Sequence, residues 1–202
     1  VIPDGPHGSG REHTCDDSPQ LASLLELAAL ARLPRTGWLQ AGRPTAESIA
    51  AHSHGVAVLV LALAGEVEPP LDVDRAVALA VVHDAPEALI GDLPKSASEL
   101  LPPGAKAAAE AEAGARLLGV FAPAAHARLV EFASGASREA RFVKVCDRLQ
   151  LGVELVALAR GGARGLGRFE GVLAGLVCGD FAPAERMRVE LLEAARRAGA
   201  FE

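Results

Sequence analysis

The stretch Asp72-Val73-Asp74-Arg75-Ala76-Val77-Ala78-Leu79-Ala80-Val81-Val82-His83-Asp84-Ala85-Pro86-Glu87 decides how this chain is read. Asp72 stands directly before an apolar run, where a short acceptor side chain caps a helix N-terminus. Val73, Val77, Ala80 and Asp84 recur at helical spacing and share one stripe. The stripe ends on a carboxylate with a histidine beside it, at positions where an apolar residue would complete the pattern. Pro86 then stops the helix, because it has no N–H to donate.

Two other segments repeat this combination of apolar stripe and ionisable intruder. N-terminal to the first, a helix is expected from about Thr45 to Ala64, with Ile49, His52, Val56, Leu59 and Leu63 on its inward face. C-terminal to it, Ser137 opens a helix to about Arg160, on which Val143, Asp147, Leu151 and Leu155 fall one turn apart. The remaining chain also reads as helix and loop. Ser18-Pro19 opens a helix to about Leu33, and Pro34 to Pro44 is a loop rich in Gly and Pro. Further helices are expected at about Pro102 to Leu118, Pro123 to Ala133 and Ala182 to Ala198, with a glycine-rich loop from Gly161 to Gly167.

Composition agrees. Of the 202 residues, 50% are hydrophobic and only 3% aromatic, and much of the apolar share is Ala and Leu, both strong helix formers. Alternating β-branched runs are scarce, which excludes a sandwich or barrel. The expectation is an all-α fold, one domain over residues 18–202 with its motif core at about 33–155 and C-terminal helices at 168–198, preceded by a flexible leader over residues 1–17. A net charge of -6 speaks against a partner that is a nucleic-acid polymer. No run reaches the ~18 consecutive apolar residues of a membrane span, and residues 1–17 do not resemble a signal peptide. Cys15, Cys146 and Cys178 are too dispersed for a disulfide framework or a cysteine zinc cluster, and read as reduced thiols of a cytoplasmic protein.

His52, His83, Asp84 and Asp147 are therefore the residues to explain. A lone histidine on an apolar face is more often a satisfied core residue. A lone buried aspartate more often caps a helix or pairs with an arginine, for which Arg141 and Arg148 are nearby. Taken together, however, an unpaired carboxylate in an apolar interior costs several kcal/mol. A divalent cation bound by two imidazoles and two carboxylates satisfies all four at once.

The segments Glu47-Ser48-Ile49-Ala50-Ala51-His52-Ser53, Val82-His83-Asp84-Ala85-Pro86-Glu87, Gly91-Asp92-Leu93-Pro94 and Phe142-Val143-Lys144-Val145-Cys146-Asp147 resemble the HD-domain phosphohydrolases. Within that family they are most similar to the 5'-deoxynucleotidase branch, as is Arg35-Thr36-Gly37-Trp38 ahead of the first histidine. The resemblance implies a compact helical bundle that binds one divalent ion through His52, His83, Asp84 and Asp147. Mn, Fe, Co, Ni, Zn or Mg would suit such ligands. It also implies catalytic roles for Glu87, which would orient the attacking water or hold a proton, and for Asp92, which would contact substrate and assist proton transfer.

The implied substrate is a small phosphorylated molecule, a nucleotide, with Asp84, Asp92 and three further residues binding it. Arg35 would clamp phosphate with its planar fork, Trp38 would stack on or wall off sugar and base, and Lys95 would add charge beside Asp92. A homodimer is implied as well. The family commonly carries Glu immediately before its first histidine, where this chain has Ala51, so a carboxylate supporting that ligand is missing from its usual place. His54 replaces a bulky aromatic residue, and Lys95 a smaller one. Two other readings stay open: a hydrolase of another phosphorylated metabolite, and a nucleotide-binding protein without turnover.

Overall fold

The computed structural model describes residues 18–202; the leader expected over residues 1–17 lies outside them. The helices are α1 (Pro19–Leu27), α2 (Thr36–Gln40), α3 (Ile49–Leu63), α4 (Val73–Val82), α5 (Glu87–Ile90), α6 (Lys95–Ser98), α7 (Ala105–Leu118), α8 (Pro123–Ser134), α9 (Arg138–Arg160), α10 (Glu170–Ala174) and α11 (Ala182–Arg197). Short 3-10 turns follow α1 and α3 and precede α10. Among the described residues there is no strand, only an isolated antiparallel bridge between Pro34 and Ser48. The expected all-α class holds.

The capping residues read from sequence close their helices. Ser18 accepts from the Leu21 N–H at 3.3 Å, Asp72 from Arg75 at 3.0 Å, and Ser137 from Ala140 at 3.0 Å. Each satisfies a donor that the first turn leaves unpaired.

Three expectations need correction. α3 begins at Ile49 rather than near Thr45, because Leu33–Arg35 and Glu47–Ile49 pair briefly: Arg35 N–H donates to Glu47 O at 3.1 Å and Ile49 N–H to Leu33 O at 2.9 Å. That pairing keeps Ser48 extended, and Ser48 caps α3 through Ala51 at 3.2 Å. The loop from Pro34 to Pro44 contains α2, whose first N–H, on Thr36, is held by the Asp92 carboxylate at 2.6 Å. Finally, α4 ends at Val82, so His83 and Asp84 stand in the turn beyond it. Pro86 cannot donate to the Val82 carbonyl, and Ala85 N–H takes that acceptor instead at 3.0 Å, tightening the chain.

α3 packs against α4 and α9, α11 lies along the other side of α9, and α8 bridges α4 and α7. Val56, Val60, Leu79, Phe142, Leu149 and Leu155 are fully or almost fully buried in the shared core, each contributing about 1.5–3 kcal/mol of burial. A smaller cluster of Ala85, Leu117, Leu118 and Leu129 fixes the turn after α4 against α7 and α8. The span Ile49–Glu66, with mean hydropathy 1.4 over 18 residues, is long and apolar enough by length and composition to cross a membrane. Here it carries His52 into the protein centre between α4 and α9.

Candidate metal centre and active site

Three elements of the core converge on one point. α3 presents His52, the turn after α4 presents His83 and Asp84, and α9 presents Asp147. His52 and His83 are 0% and 5% exposed, their ring centroids 5.5 Å apart. One ligand atom from each of His52, His83 and Asp84 lies within 4.8 Å of the others. Asp147 joins them through its Oδ1, 3.0 Å from His52 Nε2. All four residues singled out from sequence thus meet.

The hydrogen bonds on the far side of each imidazole define which nitrogen faces the centre. Gln150 Nε2 donates to the Glu47 carboxylate at 2.6 Å, so its Oε1 faces His52 Nδ1, also at 2.6 Å, as an acceptor. His83 Nδ1 lies 2.8 Å from the Ala80 carbonyl, which can only accept. Both rings therefore carry a proton on Nδ1 and turn Nε2 toward the centre. There His52 Nε2 meets Asp147 Oδ1 at 3.0 Å and Asp84 Oδ2 at 3.7 Å, and His83 Nε2 meets Asp84 Oδ2 at 3.1 Å.

Ring nitrogens do not face carboxylate oxygens at such distances without a positive charge between them. Protons on the rings are one answer, yet His83 Nε2 is buried and has no aligned hydrogen-bond partner. A single divalent cation answers all contacts together, and two imidazoles with two carboxylates are a donor set that such ions accept. The residues fit the metal that the sequence pattern implies.

Electrostatics reflect the crowding. Burial alone would lower the His83 pKa, but the Asp84 carboxylate outweighs it and raises it to about 9. Burial also works against charge on Asp84 and Asp147. His83 nevertheless draws Asp84 below its ordinary value, and the hydrogen bond to His52 does the same for Asp147. Glu87, 6% exposed, goes the other way: burial first, then the Asp84 and Asp92 charges, push it up to about 9. Its Oε2 is buried without a partner. In the metal-free chain Glu87 thus holds a proton at neutral pH while the neighbouring Asp84 is charged.

A cavity of about 620 Å³ opens onto the cluster, with Asp84, Asp147, Glu87 and Asp92 in its wall. Arg35 also lines it, with Nη1 3.2 Å from Asp84 Oδ2 and Nε 4.0 Å from Asp92 Oδ2. Asp92 has a structural task too, since its carboxylate and carbonyl bind the Thr36 N–H and hydroxyl at 2.6 and 2.7 Å. Trp38 lines the cavity but is only 3% exposed, tilted against Phe169 at 4.4 Å, and its Nε1 donates to Glu47 at 3.1 Å. Its ring is a wall with one face taken. The Lys95 side chain is 89% exposed on the lip, 3.6 Å from Glu99.

Of the arginines near Asp147, Arg148 stands 3.9 Å away, whereas Arg141 binds the Gly135 and Ala136 carbonyls. Ala51 and His54 are exposed. Sequence reasoning missed Gln150 and gave no role to Glu47. A buried glutamine three residues beyond Asp147 was the available signal. It also missed the far wall formed by Gln40, Arg168 and Phe169, which are distant in sequence from the motifs.

A helical bundle that gathers histidines and aspartates from separate helices around one point defines a metal-binding class of protein. The model of the HD domain family matches residues 27–164, and the chain belongs to that family. It is 32% identical over 135 residues, 65% of its length, to the 5'-deoxynucleotidase HDDC2 of Bos taurus, and 30% identical over 133 residues, 62% of its length, to the 5'-deoxynucleotidase hdd1 of Schizosaccharomyces pombe. The matches span 63% and 65% of those two proteins. Among solved structures, a conserved hypothetical protein from Pyrococcus furiosus superposes with a TM-score of 0.71 at 33% identity, covering 88% of this chain and 99% of that one. A predicted metal-dependent phosphohydrolase from Magnetospirillum magnetotacticum shares the fold, with a TM-score of 0.66 at 23% identity over 91% of this chain and 95% of that one.

Proposed function

We propose that this protein is a divalent-metal-dependent phosphomonoesterase that converts deoxynucleoside 5'-monophosphates to deoxynucleosides and phosphate. The observation that carries the reading is the inward pair of histidine Nε2 atoms facing Asp84 and Asp147 at the head of a cavity that also holds Arg35 and Glu87. The names of the bovine and yeast relatives support the choice of substrate. Residues 18–202 act as one domain in this reading.

His52, His83, Asp84 and Asp147 would hold the ion, which supplies Lewis acidity and a water nucleophile near neutral pH. Arg35 keeps donors free beyond the one it gives Asp84, and these suit a phosphate entering between Asp84 and Asp92. Glu87, beside the reacting group, is placed to orient the attacking water and to take up and pass on its proton. Asp92, anchored on Thr36, lies where it can serve the leaving oxygen. Gln40, Trp38, Phe169 and Arg168 form the wall available to sugar and base.

A second reading has support in the lip of the cavity. Lys95, Lys106, Arg148 and Arg168 all border it, more cations than a monophosphate bound at Arg35 requires, and they favour a substrate with an additional anionic group. In either reading the partner is a small molecule in the cytoplasm. Exposed Val58 and Leu61 on α3, 48% and 61% accessible, are consistent with a homodimer.

Phosphate release from a panel of deoxynucleotides, ribonucleotides and bisphosphorylated nucleotides, with Mn, Co, Fe, Ni, Zn and Mg in turn, tests both. Turnover of deoxynucleoside 5'-monophosphates is expected. Selective turnover of doubly phosphorylated substrates transfers the assignment to the second reading, and a metal-loaded protein inert on every ester defeats both.

A further inference from the structure

Behind His52 lies a polar chain that neither the sequence motifs nor the reaction accounts for. Trp38 Nε1 donates to Glu47 Oε1 at 3.1 Å, Gln150 Nε2 donates to Glu47 Oε2 at 2.6 Å, and Gln150 Oε1 accepts from His52 Nδ1 at 2.6 Å. Its members are enclosed: Trp38 is 3% exposed, Gln150 6%, the Glu47 side chain 7% and His52 0%. Four residues from three separate segments of the chain meet there. Space for them is made by Gly55, where a Cβ would stand 2.9 Å from Gln150 Cγ and 3.1 Å from its Nε2.

The orientation of this chain follows from its donors and acceptors. A carboxylate only accepts and an indole N–H only donates, so Glu47 takes one hydrogen bond from Trp38 and one from the Gln150 amide. With its NH₂ committed to Glu47, Gln150 can offer His52 only its carbonyl oxygen. The opposite amide orientation would set oxygen against carboxylate oxygen, a buried clash of acceptors. Negative charge on Glu47 is thereby relayed as a requirement that His52 be protonated on Nδ1.

We propose that Glu47 and Gln150 are positioning residues that hold His52 as the Nδ1–H tautomer with its Nε2 lone pair directed at the metal centre. The inference rests on the metal-binding reading above. Together they supply, through a glutamine and from one turn further back, the carboxylate support missing at Ala51. Trp38 then orients Glu47 from the opposite side, besides walling the cavity. Groups that orient metal-ligating histidines in this way typically change metal affinity about 10–100-fold when removed.

The test is metal affinity of the stripped full chain, by calorimetric titration with Mn²⁺ and Zn²⁺, together with the His52 Nδ1–H resonance of the zinc-loaded protein in ¹⁵N-resolved NMR. Glu47→Gln leaves the Gln150 amide without a fixed orientation, and Gln150→Leu removes the acceptor. Both are expected to weaken binding by about 10-fold or more and to lose the slowly exchanging Nδ1–H signal.

The double variant Glu47→Gln/Gln150→Glu keeps every donor paired with an acceptor while moving the carboxylate against His52. It is expected to recover affinity to within a few fold of the parent, with the Nδ1–H signal restored, which a packing role would not produce. Should Gln150→Leu fail to fold, Glu47→Gln and the double variant suffice. Parent-like affinity in Glu47→Gln overturns the proposal, as does a double variant no better than the single. A parent chain that binds neither metal defeats the functional reading instead, and the two failures are thus told apart.

Discussion

His83, Asp84 and Glu87 lie within five residues of one another and yet end with opposite charge states. Asp84 is held ionised by the imidazole at 3.1 Å, whereas Glu87, buried and without a cation in contact, keeps its proton. The two carboxylates should therefore respond differently to replacement. Asp84→Ala is expected to abolish binding of a divalent ion by calorimetry, because it removes the oxygen shared by both histidines. Glu87→Gln retains the shape of Glu87 and the neutral charge it has in the metal-free chain, so metal affinity should stay within about threefold while kcat falls by about 10²–10⁴. Loss of metal in Glu87→Gln, or full turnover, would remove Glu87 from its proposed role. Legibility from sequence differed between these residues. An aspartate on an apolar stripe announces itself, but the protonation of Glu87 depends on neighbours brought by folding.

Helix ends do much of the positioning. Three short polar residues, Ser48, Asp72 and Ser137, start the helices that carry or precede every expected metal ligand; Asp72 is visible in the sequence as a cap and Ser137 as a helix start, whereas Ser48 falls inside the helix expected to open near Thr45. The corrections all concern what happens between helices. The short pairing of 33–35 with 47–49 delays α3, and the Asp92 carboxylate builds α2 out of a loop. Such contacts join residues far apart in sequence and leave no periodic trace.

Close approach of α3 and α9 depends on Gly55 in the same way. Gly55→Ala should gain roughly 0.5–1 kcal/mol of helix propensity. The added methyl, 2.9 Å from Gln150 Cγ, must displace that side chain. The expected outcome is little net change in the midpoint of urea unfolding but weaker metal binding. A variant with parental affinity would show that α3 and α9 can part without disturbing His52.

The fold as a whole concentrates negative charge and histidine at its centre, so its stability should depend on pH and metal together. His83 has a folded pKa raised to about 9 from 6.5, and Glu87 one raised to about 9 from 4.5. In both cases the folded state binds more protons than the unfolded one between those limits. Stability of the metal-free chain is then greatest in mildly acidic solution and is lost as pH rises toward 9. Asp84 and Asp147, lowered in the fold, act oppositely and withdraw stability only under strong acid. Thermal melts in chelator should show Tm falling from about pH 6 to 9, and a saturating divalent ion should lessen that fall by replacing the His83 proton. A chelated protein whose Tm is flat across this range would contradict the electrostatic picture of the centre.

Helical class, the approximate course of the long helices and the four candidate ligands could all be read along the chain. They depend on local periodicity and on ionisable residues where apolar ones belong, and both are properties of short segments. The proton on His52 Nδ1, the Glu47–Gln150 support behind it, the closed face of Trp38 and the double duty of Asp92 could not. Each arises from pairing between segments tens of residues apart, where the partner of a donor or acceptor is set by packing in three dimensions.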